Sequence, residues 1–233
     1  MKRVVAFTGA GISSESGLKT FRDEDGLWEE YEVTDVATPE AWERDPELVL
    51  HFYNLRRKQT IAAQPNAAHI ALAGLEEKYH VEIITQNIDD LHERAGSSNV
   101  LHLHGEIKKA RSTQIPDLLY DLDKEEIKMG DTCEMGGQLR PHVVWFGETV
   151  PFIPEAKELI SKADILLVIG TSLNVYPAAG LIHYCPPKSE KYLIDPSDVA
   201  VSDIMNGLIY LKENATSGVP KVVNRLLEAD LKV

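Results

Sequence analysis

Short runs of β-branched and apolar residues recur along this 233-residue chain, each closed by a Gly, Asn, Asp or Ser cluster: RVVAFTG, VEIITQNID, NVLHLHG, HVVWFGE, DILLVIGTS, KYLIDPS and GLIYLKENA. Runs that are apolar almost throughout, rather than alternating, mark strands buried on both faces. Between several of them lie stretches with helical spacing. PNAAHIALAGLEEKY (65–79) puts Ala68, Leu72, Leu75 and Tyr79 on one face behind a proline, and PEAKELISKAD and the terminal VPKVVNRLLEADL are of the same kind. Strands alternating with helices predict an α/β fold, a doubly wound parallel sheet covered on both sides. Two segments depart from the pattern: 30–62 reads as helical with polar and aromatic residues, and 108–139 is charged and turn-rich. The expected organisation is a Rossmann-like domain from residues 1–29, 80–107 and 140–233, with a smaller inserted lobe made of a helical insertion at 30–79 and a module at 108–139.

Composition narrows the function. The formal net charge of −13 would repel nucleic acid or an anionic membrane surface, so neither is an expected partner. No apolar stretch approaches the ~20 residues that span a bilayer. MKRVVAFTGAG passes from two basic residues into a strand without the h-region of a signal peptide, so a cytoplasmic protein is expected, as a monomer. Cys133 and Cys185 are the only cysteines, and no Cys-x-x-Cys occurs. A thiolate zinc site takes three or four ligands in close pairs, and a disulfide is disfavoured in a reducing cytosol, which leaves two unpaired thiols.

FTGAGISSESG (7–17) follows the first strand and opens into a predicted helix, where Gly9 and Gly11 would let backbone amides approach a pyrophosphate. Ser14 stands at the third glycine position of the dehydrogenase fingerprint, and no acidic strand end follows about 20 residues later. Alone, the stretch is equally compatible with a plain strand-to-helix turn.

It is followed in order by TFRDEDGLW (20–28), TQNIDDLHERAG (85–96), LHLHGE (101–106), LRPHVVWFGE (139–148) and GTSLNVYPAAGL (170–181). Together these motifs resemble the sirtuin family of NAD-dependent protein-lysine deacylases, over nearly the whole chain. The resemblance implies that Gly9, Ala10, Gly11 and Ile12 line the NAD site, with Phe21 and Arg22 on a mobile loop over it. Gln86 would contact the ribose. Asn87, Ile88 and Asp89 would hold the nicotinamide carboxamide, with Asn87 and Asp89 counted as catalytic beside the general base His104. Gly170, Thr171 and Ser172 would bind the far ribose and phosphates, and Ala215 would flank the adenine. Where the family often has Asn, LIDPS presents Asp195, whose carboxylate can accept bonds from a ribose diol and would repel a 2′-phosphate, favouring NAD over NADP.

In the implied reaction the nicotinamide bond breaks with oxocarbenium character on the sugar, the acyl oxygen attacks, and a base deprotonates a ribose hydroxyl. Histidine suits that step because its ordinary pKa of ~6.5 leaves much of it neutral in the cytosol. His102, His69 and His92 read as ordinary hydrogen-bonded turn residues; only the HGE context sets His104 apart. Tyr53 and Arg56 in HFYNLRRKQ share a helix face, and Ala37 is small where a bulkier residue would close the acyl channel. This resembles the bacterial-type sirtuin subclass that removes succinyl and malonyl as well as acetyl groups, while Arg57 and Lys58 read as solvated. The acylated-lysine peptide or protein would pair between Val144, Trp145, Phe146, Gly147 and Glu148 on one side and Asn174 and Val175 on the other. Most of the family holds structural zinc in the small lobe. Here Ser112, Ile115, Thr132 and Met135 fall at the four ligand positions, so no metal is expected, and packing of Ile115, Leu118, Leu119, Ile127 and Met135 is expected to hold the lobe. Mono-ADP-ribosyl transfer and a non-catalytic NAD-binding sensor or adaptor are the other functions this pattern allows.

Overall fold

The computed structural model describes residues 1–18, 31–122, 126–199 and 207–229. Its main sheet has six parallel strands in the order β3-β2-β1-β7-β8-β9: β1 (Arg3–Thr8), β2 (His80–Thr85), β3 (Val100–His102), β7 (Ile165–Ile169), β8 (Glu190–Ile194) and β9 (Leu208–Leu211). Successive residues of these apolar runs feed two separate cores. Val4, Ala6, Val81, Ile83, Leu167 and Ile194 point to one face, while Val5, Phe7, Ile84, Leu166, Val168 and Leu193 point to the other. The first face is covered by α5 (Ala67–Gly74) and α8 (Ala215–Ala229), the second by α7 (Ile153–Ser161) and a 3₁₀ segment at Ala178–Tyr184. Among the described residues no helix is long and apolar enough to cross a membrane.

The smaller lobe is built from α2 (Val33–Val36), α3 (Pro39–Arg44) and the long α4 (Pro46–Ala62), packed on a three-stranded antiparallel sheet of order β5-β4-β6. Those strands are β4 (Gly105–Ser112), β5 (Leu119–Asp121) and β6 (Leu139–Val143). Local chemistry starts the helices. Thr38 Oγ1 accepts from the Ala41 N–H at 3.0 Å and Asp45 Oδ1 from the Leu48 N–H at 3.0 Å, each before a proline at the first helical turn.

Three boundaries differ from those expected. The helix after FTGAG is a single turn, α1 (Gly11–Ser14), because Gly17 with φ +88° ends it. Residues 67–74, placed by the sequence with the 30–79 insertion, pack Ala68 and Leu72 into the main core against α8. The strand at 139–143, which includes the start of HVVWFGE and was expected in the large domain from residue 140, joins the small sheet, since Arg140, Pro141 and Val143 pair with Arg111, Ala110 and Gly105 of β4.

The expectation for Arg57 is also overturned. Lys58 is exposed and paired with Glu126, but Arg57 is 2% exposed. Its Nε–H donates to Ile107 O at 2.8 Å and its Nη1–H to Asn54 Oδ1 at 2.7 Å. Asn54 in turn donates to Ile127 O at 2.9 Å and accepts from Ile127 N–H at 3.1 Å, so α4 is clipped to both β4 and the segment after β5. Burial lowers the Arg57 pKa to about 10, which still leaves it charged. Arg57→Met is expected to destabilise the protein by about 2–4 kcal/mol, because it takes the Arg57 donor from the buried Ile107 carbonyl and one of two donors from Asn54 Oδ1. Urea denaturation checks this, and an unchanged midpoint would contradict it.

Candidate functional site

Strand order reverses between β1 and β7, and a crevice opens outside their carboxyl ends. There the two following turns touch backbone to backbone: the Gly9 N–H donates to Ile169 O at 3.0 Å and the Gly11 N–H to Gly170 O at 2.9 Å. A Cβ on Gly11 would stand 2.7 Å from Gly170 Cα. These glycines are therefore required by the close approach, and they border a cavity of about 650 Å³. Gly9, Ala10, Gly11, Gly170, Thr171, Ser172, Asp195 and Ala215 all line it. Ile12 does not; its side chain is fully buried in the main core, beneath the cradle, because the one-turn helix points it inward. Phe21 and Arg22 lie outside the described residues. Asp195 Oδ1 accepts from the Ser197 N–H at 2.9 Å. The cavity also includes Glu15, whose Oε2 accepts from Thr216 Oγ1 at 2.7 Å and so ties α1 to the start of α8; nothing in the local pattern singled it out.

The turn after β2 brings Gln86, Asn87, Ile88 and Asp89 to the same cavity. Asn87 Nδ2 donates to Gly9 O at 3.2 Å and Ser13 Oγ at 3.1 Å, and Ser13 Oγ donates to Asp89 Oδ2 at 3.0 Å. Ser13, unmarked by the sequence reading, thus links the first motif to the second. Burial pushes the Asp89 carboxyl up, and the Leu91 N–H and Ser13 hydroxyl offset part of that. Gln86 Nε2 reaches Thr171 Oγ1 at 3.1 Å, joining the turns after β2 and β7.

His104 also lines the cavity, with Nδ1 2.9 Å from Gln86 O. A carbonyl only accepts, so Nδ1 carries the proton and Nε2 keeps its lone pair. Burial lowers the pKa of His104, although the Gln86 carbonyl pulls the other way, so the ring is neutral at neutral pH. The arrangement is that of a fixed base. His69 and His92, read from sequence as turn residues, are instead buried in α5 and in α6 (Leu91–Arg94), with ring centroids 4.9 Å apart.

A family model described as the Sir2 family matches residues 9–177. The chain belongs to the Sir2 family. An NAD-dependent protein deacylase of Bacteroides thetaiotaomicron is 51% identical, covering 98% of this chain and 100% of that protein. One of Helicobacter pylori is 48% identical, covering 98% and 99%. A solved Sir2 homologue bound to NAD superposes with a TM-score of 0.87 at 38% identity, covering 98% of this chain and 90% of that one. A Sir2 homologue bound to ADP-ribose gives 0.88 at the same identity, covering 98% and 93%.

In this sirtuin the same cavity is also lined by Ala37, Tyr53, Arg56, Val143 and Trp145. Tyr53 and Arg56 stand on one face of α4, as their spacing predicts. Burial pushes the Tyr53 hydroxyl up to about 12, so it stays a donor. Arg56 lies 5.9 Å from the Phe52 ring centroid; burial lowers its pKa, and Tyr53 and Asp89 raise it. Val144, Phe146, Gly147, Glu148, Asn174 and Val175 line it beside Trp145. Two of these side chains serve the lobe itself. Glu148 accepts from Arg140 at 2.7 and 3.0 Å, from Arg111 at 3.1 Å and from the Trp145 N–H at 2.8 Å. Trp145 is 2% exposed, under the Arg140 guanidinium at 3.3 Å from its ring centroid.

The zinc module of the family does not fit these residues. Ile115 and Met135 offer no suitable donor and are exposed, and no group of three or more His, Cys, Asp or Glu among the described residues is placed to hold a metal. Ser112, at the first ligand position, is buried; its Oγ accepts from the Gln114 and Ile115 N–H groups at 3.2 and 3.1 Å and donates to Cys133 Sγ at 3.2 Å. The packing differs from that expected, since Leu119 is exposed as well and of the five named residues only Ile127 is buried. The cluster is Leu50, Ala110, Leu122 and Ile127, with Trp42, Tyr120 and Leu139 against it. Incubation with a chelator is expected to leave the thermal midpoint unchanged; a fall of several degrees would contradict this.

Proposed function

We propose that this sirtuin, an NAD-dependent protein deacylase, removes negatively charged acyl groups such as succinyl and malonyl from lysine, as well as acetyl, and forms an O-acyl-ADP-ribose. The observation that carries this reading is the placement of Tyr53 and Arg56 in the same cavity as His104. Bound NAD supplies an activated ribose carbon. The chain supplies the rest: Gly9, Gly11 and Gly170 let the phosphates reach backbone amides, Asp195 accepts from the adenosine ribose, and Asn87 and Asp89 orient the carboxamide. His104 Nε2 takes the proton of a ribose hydroxyl, its tautomer fixed through Nδ1. The substrate strand pairs with the backbone of 144–148 and 174–175, which selects for the acylated lysine with little dependence on its neighbours.

A carboxylate at the tip of the acyl chain would meet the Arg56 guanidinium and the Tyr53 hydroxyl in a partly dry channel, a charge-assisted contact. Arg56→Met is therefore expected to lower kcat/KM for a succinyl-lysine peptide by about 10- to 100-fold while changing that for acetyl-lysine far less. Paired kinetics on matched peptides check this. Equal losses on both peptides would contradict the assignment.

A further inference from the structure

The two histidines of LHLHGE have different hydrogen-bond demands. His104 meets one acceptor, and its second nitrogen makes no hydrogen bond among the described residues. His102, two residues upstream on β3, meets two: Nδ1 lies 3.0 Å from Asn87 O, and Nε2 lies 2.7 Å from Glu93 Oε1. A carbonyl and a carboxylate only accept. A neutral imidazole carries one N–H and satisfies one of them; only the imidazolium satisfies both. The ring is nearly buried, at 6% side-chain exposure, so solvent does not make up the difference.

The surroundings favour the charged ring. A cavity of about 190 Å³ behind the nicotinamide turn is lined by His102 together with Asp89 and Asp90 from the turn, Glu93 from α6, Glu106, Lys108 and Lys109 from β4, and Asp121 from β5. The carboxylates outnumber the lysines. Lys108 is engaged with Asp90 at 3.1 Å, and Lys109 pairs with Glu106. His92 of α6 also feels the ring, and burial holds it neutral. Burial works against the charge on His102, yet Glu93 and the Asn87 carbonyl raise its pKa above the ordinary value.

We propose that protonated His102 is a positioning residue for the nicotinamide side of the site: bridging the Asn87 carbonyl and Glu93, it locks the Gln86–Asp89 turn only while its ring carries both protons. Loss of one proton turns a lone pair toward either the carbonyl or the carboxylate. The turn then loosens, and with it Asn87, Asp89 and the Gln86 carbonyl that orients His104. Neighbouring histidines thereby bound the working pH range from opposite sides. His104 must be neutral, which sets the acid limb, and His102 must be charged, which sets the alkaline limb.

The test is the pH profile of kcat/KM for NAD from about pH 6 to 9.5, read as nicotinamide release by the full chain with acyl-peptide present. His102→Gln keeps one donor but cannot titrate, and Glu93→Gln removes the charge that stabilises the imidazolium. The expected results are an alkaline limb in the unaltered protein, its absence in His102→Gln with KM for NAD raised several-fold more than kcat is lowered, and its displacement to lower pH in Glu93→Gln. The acid limb should stay in place throughout. A residue that merely supported the fold would lower activity at every pH without moving a limb. An unaltered alkaline limb in folded His102→Gln overturns the proposal. Should that variant fail to fold, an unmoved limb in Glu93→Gln overturns it equally. The inference rests on the NAD-dependent reaction, and no nicotinamide release by the unaltered protein at any pH would overturn both.

Discussion

Replacing His104 with alanine is expected to lower kcat by about 10²- to 10⁴-fold, the range lost when a positioned general base is removed. NAD affinity should stay within a few-fold, because the cradle of Gly9, Gly11 and Gly170 and the Asn87–Ser13–Asp89 chain form without the imidazole. The split between binding and turnover is what makes the variant informative. The proposed proton transfer has a fixed geometry to act from: His104 Nδ1 is committed to Gln86 O, and the turn behind it is fixed by Gly105, where a Cβ would lie 2.1 Å from His142 O. Calorimetry of NAD binding beside single-turnover kinetics checks the result. Turnover close to that of the unaltered protein would remove His104 from the role of base.

The second large effect is at the cradle. Gly170 has φ +59°, and a Cβ there would stand 2.4 Å from Ile12 N and 2.6 Å from Gly11 C. Those are backbone atoms of a turn pinned by the Gly11 N–H bond to Gly170 O, so they cannot rotate aside as a side chain would. Gly170→Ala is expected to cost about 2–4 kcal/mol of stability and to abolish measurable NAD binding, since β1 and β7 must part to admit the methyl group. Gly147→Ala is the comparison. Its φ is +93°, but nothing lies within 4 Å of the added atom, so strain acts there without a clash. Thermal melts and calorimetry on both variants separate the two costs, and Gly170→Ala with ordinary NAD affinity would contradict the close-approach argument.

What the sequence revealed and what it hid follow from the range of the interactions. In RVVAFT every residue after the first is apolar or small, because Val4 and Ala6 serve one core while Val5 and Phe7 serve the other; a run of this kind needs no partner to be read. The motifs gathered around the cavity were legible for the same reason, each being a local chemical pattern at the end of a strand. The small lobe was not. Arg57 sits in a run of basic residues and looks solvated until β4 and Ile127 are folded against α4. Ile115, Leu119 and Met135 look like core residues by type, yet the lobe fills its interior with Leu50 and Leu122 from distant positions. His102 was passed over because a histidine beside a strand end carries no signal until Glu93, nine residues earlier, and Asn87 are brought to its two nitrogens.

The central claim is that one cavity joins an NAD cradle, a neutral histidine base and an acyl channel ended by Tyr53 and Arg56. Its most direct test is mass spectrometry of the purified protein with NAD and matched peptides bearing acetyl-lysine or succinyl-lysine, following the freed lysine peptide and the ADP-ribose product together. The account predicts NAD-dependent loss of both acyl groups with preference for succinyl, each matched by an equal amount of O-acyl-ADP-ribose. Loss of neither acyl group, or loss without that product, would contradict it.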